Sequence, residues 1–449
     1  KLKEGMNKEM SMMHDFDMAD IVLHELLTEK ERENILDFTW ARRWKGSEVR
    51  CRLCVRGFNQ IIKDLDDTFA STPVLMILKV LMVIALALGW SINTFDITTA
   101  FLHACLKPED DPIYVWPPVE YYPSGLVVWK LKRAVYGLRT APREWQDHFA
   151  QELQRLGFKR LKSDSNVYVH QTLQIIILAY VDDLMVFGLP SDMDLVEQQL
   201  HEVFLIKQTG NLNEDGNLVR FLGRSLQRQG QGVLVYEDAD YFKEVLNEHN
   251  MLNCKESNTP APVTPFTSPD SEDLVDAERH SLYRRTVGKL QWEHGIRPDI
   301  AFSIKELARS LNGPTEADFK RLKHLLRYVK GTLHYKLYLK PDITLQPGVM
   351  HNFTITTYVD ANWAGCPLTR KSSSGVIVYL LGTPVHFISK TQSIIALSSA
   401  ESELYGIGSG TSESLHVRTF LIEAGLASTA AVERVTDSSA AKAIELPFG

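Results

Sequence analysis

At 449 residues, with 44% hydrophobic and 23% charged residues, the chain has the make-up of an ordinary soluble globular protein of roughly two to four domains. A net charge of -7 gives no support by itself to a nucleic-acid partner, but the sign is unevenly distributed and local patches count for more than the sum. Five cysteines with a single CxxC (Cys51, Cys54) and no nearby His exclude a disulfide framework and a zinc site, and point to a reduced, intracellular protein.

Residues 1 to about 35 are Met-rich, charged and weakly helical, with no signal peptide; they read as an N-terminal remnant. The chain begins at a Lys, which fits a piece of something larger. From Trp40 the composition turns basic: Arg42, Arg43, Lys45, Arg50, Arg52 and Arg56 alternate with apolar residues, as in strands with one cationic face. Such a face is either a solvated edge guarded by charge or a surface that meets phosphates. Val74 to Trp90 is apolar except for Lys79, too short for a membrane span, and reads as a buried core helix. The following stretch, Ser91 to Leu102, reads as a strand carrying one acid, Asp96, which alone is a cap or turn residue.

A Pro/Tyr-rich loop (Pro112 to Pro123) precedes a turn at Gly137 and an amphipathic helix, Arg143 to Leu156, with Pro142 near its start. That turn suits a backbone passing close to a ligand. The pivot of the chain is Ile175 to Gly188, where two β-branched apolar runs flank Val181-Asp182-Asp183 and predict a hairpin with the carboxylates at its tip. Adjacent acids beside an apolar core are either turn residues or ligands of a hard cation such as Mg²⁺. With Asp96 alongside, they would complete a three-carboxylate cluster suited to metal-assisted nucleotidyl transfer.

Val196 to Phe204 reads as helix, Asn211 to Tyr236 as a pair of strands, and Ala239 to His249 as helix. Residues 257–283 read as a linker rich in breakers, and 280–340 as basic helices interrupted at Arg297-Pro298-Asp299-Ile300. The last block predicts three strands (353–359, 374–381, 384–389), a long helix (398–426), a strand (432–435) and a final helix, hence a small mixed α/β domain. Its candidate acids are Asp360, Glu401, Glu403 and Asp437.

In this order the chain resembles the reverse transcriptase–ribonuclease H region of copia-type LTR retrotransposon polyproteins. The resemblance is carried by Arg52-Leu53-Cys54-Val55-Arg56-Gly57-Phe58-Asn59-Gln60, Asp96-Ile97-Thr98-Thr99-Ala100-Phe101-Leu102, Tyr136-Gly137-Leu138-Arg139-Thr140-Ala141-Pro142-Arg143, Tyr180-Val181-Asp182-Asp183, Arg297-Pro298-Asp299-Ile300 and Ser398-Ser399-Ala400-Glu401-Ser402-Glu403. It implies a multidomain α+β protein: fingers and palm over 36–205, a thumb over 206–256, the linker, a connection over 284–350 and an RNase H-like domain over 351–449. It implies that Asp96, Asp182 and Asp183 hold two Mg²⁺ ions, with Mn²⁺ as a substitute, for RNA-directed DNA synthesis. Lys45, Arg52, Phe101 and Gly137 would form the deoxynucleotide pocket, with Phe101 excluding a ribose 2′-hydroxyl unless it is simply core. Asp360, Glu403 and Asp437 would be a second, hydrolytic two-metal centre, Glu403 being preferred to Glu401.

The implied partners are an RNA template, a DNA primer, their hybrid and dNTPs, with no membrane, inside a cytoplasmic virus-like particle or the nucleus. Capsid, protease and integrase are expected to be encoded elsewhere in the element, and neither a protease Asp-Thr/Ser-Gly triplet nor the His/Cys zinc pair of an integrase is present in this sequence. Thr140 stands where the family commonly has Gln, Thr68 to Pro73 only approximates the usual segment, and the RNase H-like domain is expected to be incomplete at its C-terminus. A decayed or repurposed element that binds nucleic acid without catalysis is the alternative, and an RNA-directed RNA polymerase a third reading that Phe101 disfavours.

Overall fold

A computed structural model describes residues 1–61, 70–107, 111–122, 125–262 and 273–445 of the chain. The 68–73 segment, the 112–123 loop and the 257–283 linker each lie partly outside the described residues.

Helix α1 (Leu2–Asp15), strand β1 (Ala19–Leu23) and the short helix α2 (Glu29–Glu33) lead into an antiparallel hairpin of β2 (Phe38–Lys45) and β3 (Glu48–Val55). Residues 1–35, expected as an N-terminal remnant, pack against this unit through α1. Met6, Met10 and Met13 lie on one stripe of α1. Met13 and Met18 share a core with Leu53 and Val55, and the Glu9 carboxylate accepts from the Leu53 N–H at 3.1 Å.

Helix α3 (Leu75–Leu88) is buried at twelve of its fourteen positions, Lys79 included, and ends where Gly89 turns left-handed. No helix among the described residues is long and apolar enough to cross a membrane. Strand β4 (Ser91–Ile97) is shorter than expected, because Thr99 takes a positive φ of 54° and starts the one-turn helix α4 (Ala100–His103). There follow β5 (Tyr114–Val115), β6 (Val127–Leu131), α5 (Ala141–Arg155), β7 (Phe158–Arg160), β8 (Val167–His170), β9 (Ile175–Tyr180), β10 (Asp183–Gly188), α6 (Pro190–Val203) and β11 (Ile206–Asn211). Strands β1, β6 and β5 form a small sheet, while a six-stranded antiparallel sheet runs β11-β4-β10-β9-β8-β7. The near-continuous apolar runs of β9 and β10 follow from coverage of both faces. Leu184 and Val186 pack with Trp145, Phe149 and Leu200 of α5 and α6, while Met185 and Phe187 pack with α3.

The expected pair of strands over 211–236 is a three-stranded meander after β11: β12 (Leu218–Phe221), β13 (Arg224–Gln229) and β14 (Gly232–Tyr236). It is followed by α7 (Ala239–Glu248), α8 (Ala277–Glu293), α9 (Pro298–Ala308), α10 (Glu316–Gly331) and β15 (Leu337–Leu339). The boundary expected between 206–256 and 284–350 divides a single core. Phe242 and Leu246 of α7 pack with Tyr283, Ile300, Leu322 and Leu326 of α8 to α10, and β15 returns to pair with β14.

The C-terminal unit holds β16 (His351–Asn362), β17 (Ser373–Leu380), β18 (Thr383–Thr391), α11 (Ser399–Glu423), β19 (Ala427–Val435) and α12 (Ser439–Glu445). Its sheet runs β18-β17-β16-β19, with β19 parallel to β16. Small residues at four-residue spacing (Ser402, Gly406, Gly410, Ser414) let α11 lie flat on β16 and β17, and the Ser414 hydroxyl bonds that of Thr357. A Cβ on Gly410 would come within 2.9 Å of Thr357 Cγ2 and 3.0 Å of Val359 Cγ2. Gly410→Val should therefore destabilise the unit by about 1–3 kcal/mol in thermal denaturation. Gly408→Ala, with open space around it, should stabilise by up to about 1 kcal/mol.

Candidate active sites

The predicted hairpin has only two residues between its strands, since Asp183 of β10 pairs with Tyr180 of β9. Val181 takes φ 55°, a genuine outlier for a β-branched residue and a strain of roughly 1–3 kcal/mol. The buried indole Nε1 of Trp145 donates to the Val181 carbonyl at 2.7 Å, and the Ile97 N–H donates to the Asp182 carbonyl at 2.7 Å. These two bonds clamp the tip from α5 and from β4.

Asp183 lies directly opposite Asp96 in the β10–β4 ladder, and Asp96 lies opposite Lys207 in the β4–β11 ladder. Two acids and a cation thus form one cross-strand row, with Asp182 at its end. Burial, with the charges of Asp182 and Asp96, pushes the Asp183 carboxyl up to about 6. Asp182 is also raised, chiefly by burial and then by Asp96, against the opposing pull of its own N–H, Arg52 and Arg50.

Those two arginines point from β3 toward the acids. The alternation of β3 buries Cys51, Leu53 and Val55 against α1 and leaves Arg50 and Arg52 on the opposite face. Arg43 is the cross-strand partner of Arg50, so two cations sit side by side on that exposed face. Lys45 shares the face but sits at the hairpin tip opposite Glu48, further along than Arg50. The Arg52 guanidinium lies 4.6 Å over the ring of Tyr136, whose edge meets Phe101 at 5.0 Å. Phe101 is half-buried on α4.

Gly137 does make a close approach, but to the chain itself: its φ is 94°, and a Cβ there would sit 2.0 Å from the Val55 carbonyl. That close approach locks the basic hairpin onto the start of α5, and Gly137 itself stays exposed. Gln60 reinforces the same junction, accepting from the Arg139 N–H at 2.8 Å and donating to the Thr140 hydroxyl at 3.4 Å. Sequence reasoning assigned no site role to Tyr136, Trp145, Lys207 and Gln60, and named Arg50 only as one of a basic run. The first two stood inside or beside a recognised motif, and Arg50 was legible from strand alternation with Arg52.

The second centre is tighter. Oxygens of Asp360, Glu403 and Asp437 all lie within 4.8 Å of one another, the sole such three-residue group of acid, His or Cys side chains among the described residues. Parallel pairing aligns Tyr358 with Val435, so the acids two residues further on leave adjacent strand ends together. Glu403, 6% exposed on the first turns of α11, accepts from the Ala361 N–H at 2.9 Å and the Thr436 hydroxyl at 3.3 Å. Burial raises its carboxyl most, and Asp360 and Asp437 add to that. Buried Gln392 holds α11 in place by donating to the Ser402 carbonyl at 2.7 Å and the Ser374 hydroxyl at 2.9 Å.

Glu401 turns the other way, accepting from the Leu397 N–H at 2.7 Å while its own N–H bonds the Ser398 hydroxyl. It is a helix-capping residue. The choice of Glu403 over Glu401 as the member of the cluster thus agrees with the geometry. At the second centre converging carboxylate oxygens form a donor set that fits hard divalent cations, and at the first the ladder brings Asp96 and Asp183 side by side next to Asp182.

Fold and sites together define a mixed α/β protein with two separate carboxylate centres, one facing a basic hairpin. The chain belongs to the reverse transcriptase (RNA-dependent DNA polymerase) family, which it matches over residues 29–263. It is 30% identical over 386 residues to the retrovirus-related Pol polyprotein from transposon RE1 of Arabidopsis thaliana, covering 85% of this chain and 25% of that protein. It is 28% identical over 393 residues to the corresponding polyprotein from transposon TNT 1-94 of Nicotiana tabacum, covering 84% and 28%. The chain therefore spans about a quarter of the length of these relatives. Its fold is similar to that of a foamy viral protease–reverse transcriptase solved in complex with double-stranded DNA, with a TM-score of 0.50, 13% identity and coverage of 92% of this chain and 60% of that one.

Because Asp183 titrates near 6 when folded against an ordinary 3.8, the metal-free fold loses stability as pH rises from about 4 to 6. Asp182→Asn removes one repelling charge. At pH 7 without divalent cations it should stabilise the protein by about 1 kcal/mol, allowing for solvent screening, with the gain vanishing below pH 4. Denaturant titration at the two pH values checks this.

Proposed function

We propose that the chain is an RNA-directed DNA polymerase of the copia type with an attached RNase H-like nuclease unit. The observation that carries the reading is the row of Asp96 and Asp183, closed by Asp182 and faced by Arg50 and Arg52. In this reading the six-stranded sheet is the palm, the β2–β3 hairpin with the small sheet the fingers, and the meander with α7 to α10 serves as thumb and connection.

Nucleotidyl transfer joins the primer 3′-oxygen to the α-phosphorus of a dNTP and releases pyrophosphate. The three acids would hold two Mg²⁺ ions, which when bound supply charge neutralisation for the attacking and leaving oxygens. The chain's own part is positional. Strand ladders and the Trp145 bond fix the carboxylates, and the Arg43–Arg50–Arg52 face draws in the triphosphate by charge. Phe101, braced edge-on by Tyr136, is set to crowd the sugar and disfavour a 2′-hydroxyl. At the second centre, Asp360, Glu403 and Asp437 would hold the ions for hydrolysis of the RNA strand of a hybrid.

Incorporation of labelled dNTPs on a poly(rA)/oligo(dT) template with Mg²⁺ tests the first centre. Asp182→Asn should lower the rate roughly a thousandfold or more. Activity kept in Asp182→Asn and Asp183→Asn alike refutes the assignment. No incorporation by folded wild type that still binds the hybrid favours a binding protein without catalysis. For the second centre, Glu403→Gln should end hydrolysis of a labelled hybrid and spare DNA synthesis, whereas Glu401→Gln should spare both.

A further inference from the structure

The sheet β12-β13-β14-β15 has one face in the core and one in water. Val219, Phe221, Leu226, Val233, Val235 and Leu339 belong to the core. Alternation sends the residues between them outward, and the register sets Leu218, Gln227, Leu234 and Tyr338 in one row across the outer face. A second row runs from Arg220 through Ser225 to Tyr236. Neither carboxylate centre lies on this sheet.

Tyr338 ends its row on the edge strand β15. A Cβ on Gly232 would come within 2.5 Å of Tyr338 Cε2 and 2.7 Å of Cζ, so the ring rests on bare glycine backbone. Its hydroxyl donates to the Gln229 carbonyl at 2.9 Å. These contacts hold the ring across the sheet, yet Tyr338 stays 40% exposed, and no aromatic ring or cation among the described residues is stacked on it. Covering a strand glycine with an aromatic ring steadies a sheet, but that task needs no charge beside the ring.

Here charge is present on both sides. Lys336 and Lys340, each two residues from Tyr338 and each exposed, alternate onto the same face. Lys336 Nζ is held 3.7 Å over the ring of Tyr236, and neither lysine makes an ion pair among the described residues. Arg220 differs, being held by Glu237 and Asp238 at 3.0 and 3.5 Å. Two residues of strand span about 7 Å, so the ring sits midway between two cationic side chains without partners of opposite charge.

We propose that this outer face binds a single-stranded stretch of nucleic acid, with one base stacked on Tyr338 and the flanking phosphates met by Lys336 and Lys340. A ligand that alternates flat uncharged rings with phosphates matches a ring set between two lysines. A duplex does not match it, because its bases are already stacked and offer no free face. A protein partner would have to bring acids to both lysines and leave the ring without a flat counterpart.

The test uses the full chain with an excess of unlabelled blunt-ended DNA duplex, which fills any cleft that takes duplex, and a labelled oligo(dT) followed by fluorescence anisotropy. Tyr338→Ala and Tyr338→Leu should each weaken binding roughly tenfold, whereas Tyr338→Phe, which loses the bond to Gln229 and keeps the ring, should bind as the wild type does. Should Tyr338→Ala fail to fold, the leucine and phenylalanine variants give the same comparison. Lys336→Ala with Lys340→Ala should lower the slope of log affinity against log salt by about 1.4. An abasic strand of equal length should bind the wild type as weakly as oligo(dT) binds Tyr338→Ala. Wild-type affinity in Tyr338→Leu overturns the proposal. So does equal affinity for the abasic strand, which would make the face a site for polyanions at large, acidic proteins included. Neither carboxylate centre enters the measurement, so a failure of DNA synthesis would overturn the polymerase reading and leave this result standing.

Discussion

Helix α3 is apolar around its whole circumference, and such a helix must be covered on every side. Three parts of the chain supply the cover: the six-stranded sheet through β10, the meander through β15, and the C-terminal sheet through β18. One continuous core therefore joins the elements that carry the two carboxylate centres. Lys79 is the polar exception at 1% exposure, and it is satisfied across the junction. Its Nζ donates to the Gly295 carbonyl at 2.8 Å and lies 4.6 Å over the Phe387 ring, while burial and then Arg224 push it down to about 7. The Glu423 carboxylate strengthens the same junction by accepting from the N–H groups of Lys162 and Ser163 at 2.8 Å.

Anchored to that core, both centres use one device. Carboxylates that repel one another are mounted on neighbouring strand ends, where the ladder leaves them no room to separate. Burial, and after it the neighbouring carboxylates, raises the carboxyls of Asp183 and Glu403. This is a standing cost to the metal-free fold that a bound cation would convert into affinity. The two centres differ in tightness. The second already gathers its oxygens, whereas the first is opposed by arginines on a hairpin that the Gly137 contact and Gln60 hold in place.

Much of this was legible in the sequence because it depends on local pattern. The apolar runs on either side of Asp182-Asp183, the alternation from Phe38 to Val55, the circumferentially apolar 75–88 stretch and the strand–helix order after 350 all follow from periodicity, and all appear in the fold. The failures have two causes. The stop of β4 at Ile97 and the turn that splits the meander at Leu222-Gly223 come from positive-φ backbone that propensity does not record, whereas the packing of residues 1–35 is set by partners remote in sequence.

The sequence by itself determined which residues carry charge at which strand ends, because side-chain alternation and turn chemistry are local properties. Only the tertiary structure decided which of these residues meet. Glu403 rather than Glu401 joins the acid cluster because α11 is laid on its sheet by Gly406 and Gly410 and pinned by Gln392. Arg50 and Arg52 reach toward Asp182 because β3 is backed by α1, a helix whose sequence carries no recognisable motif. Pro298 of the α9 motif lines the same cavity as Asp360 and Asp437 because packing, which depends on shape and volume across the whole core, brings them together where spacing along the chain gives no sign of it.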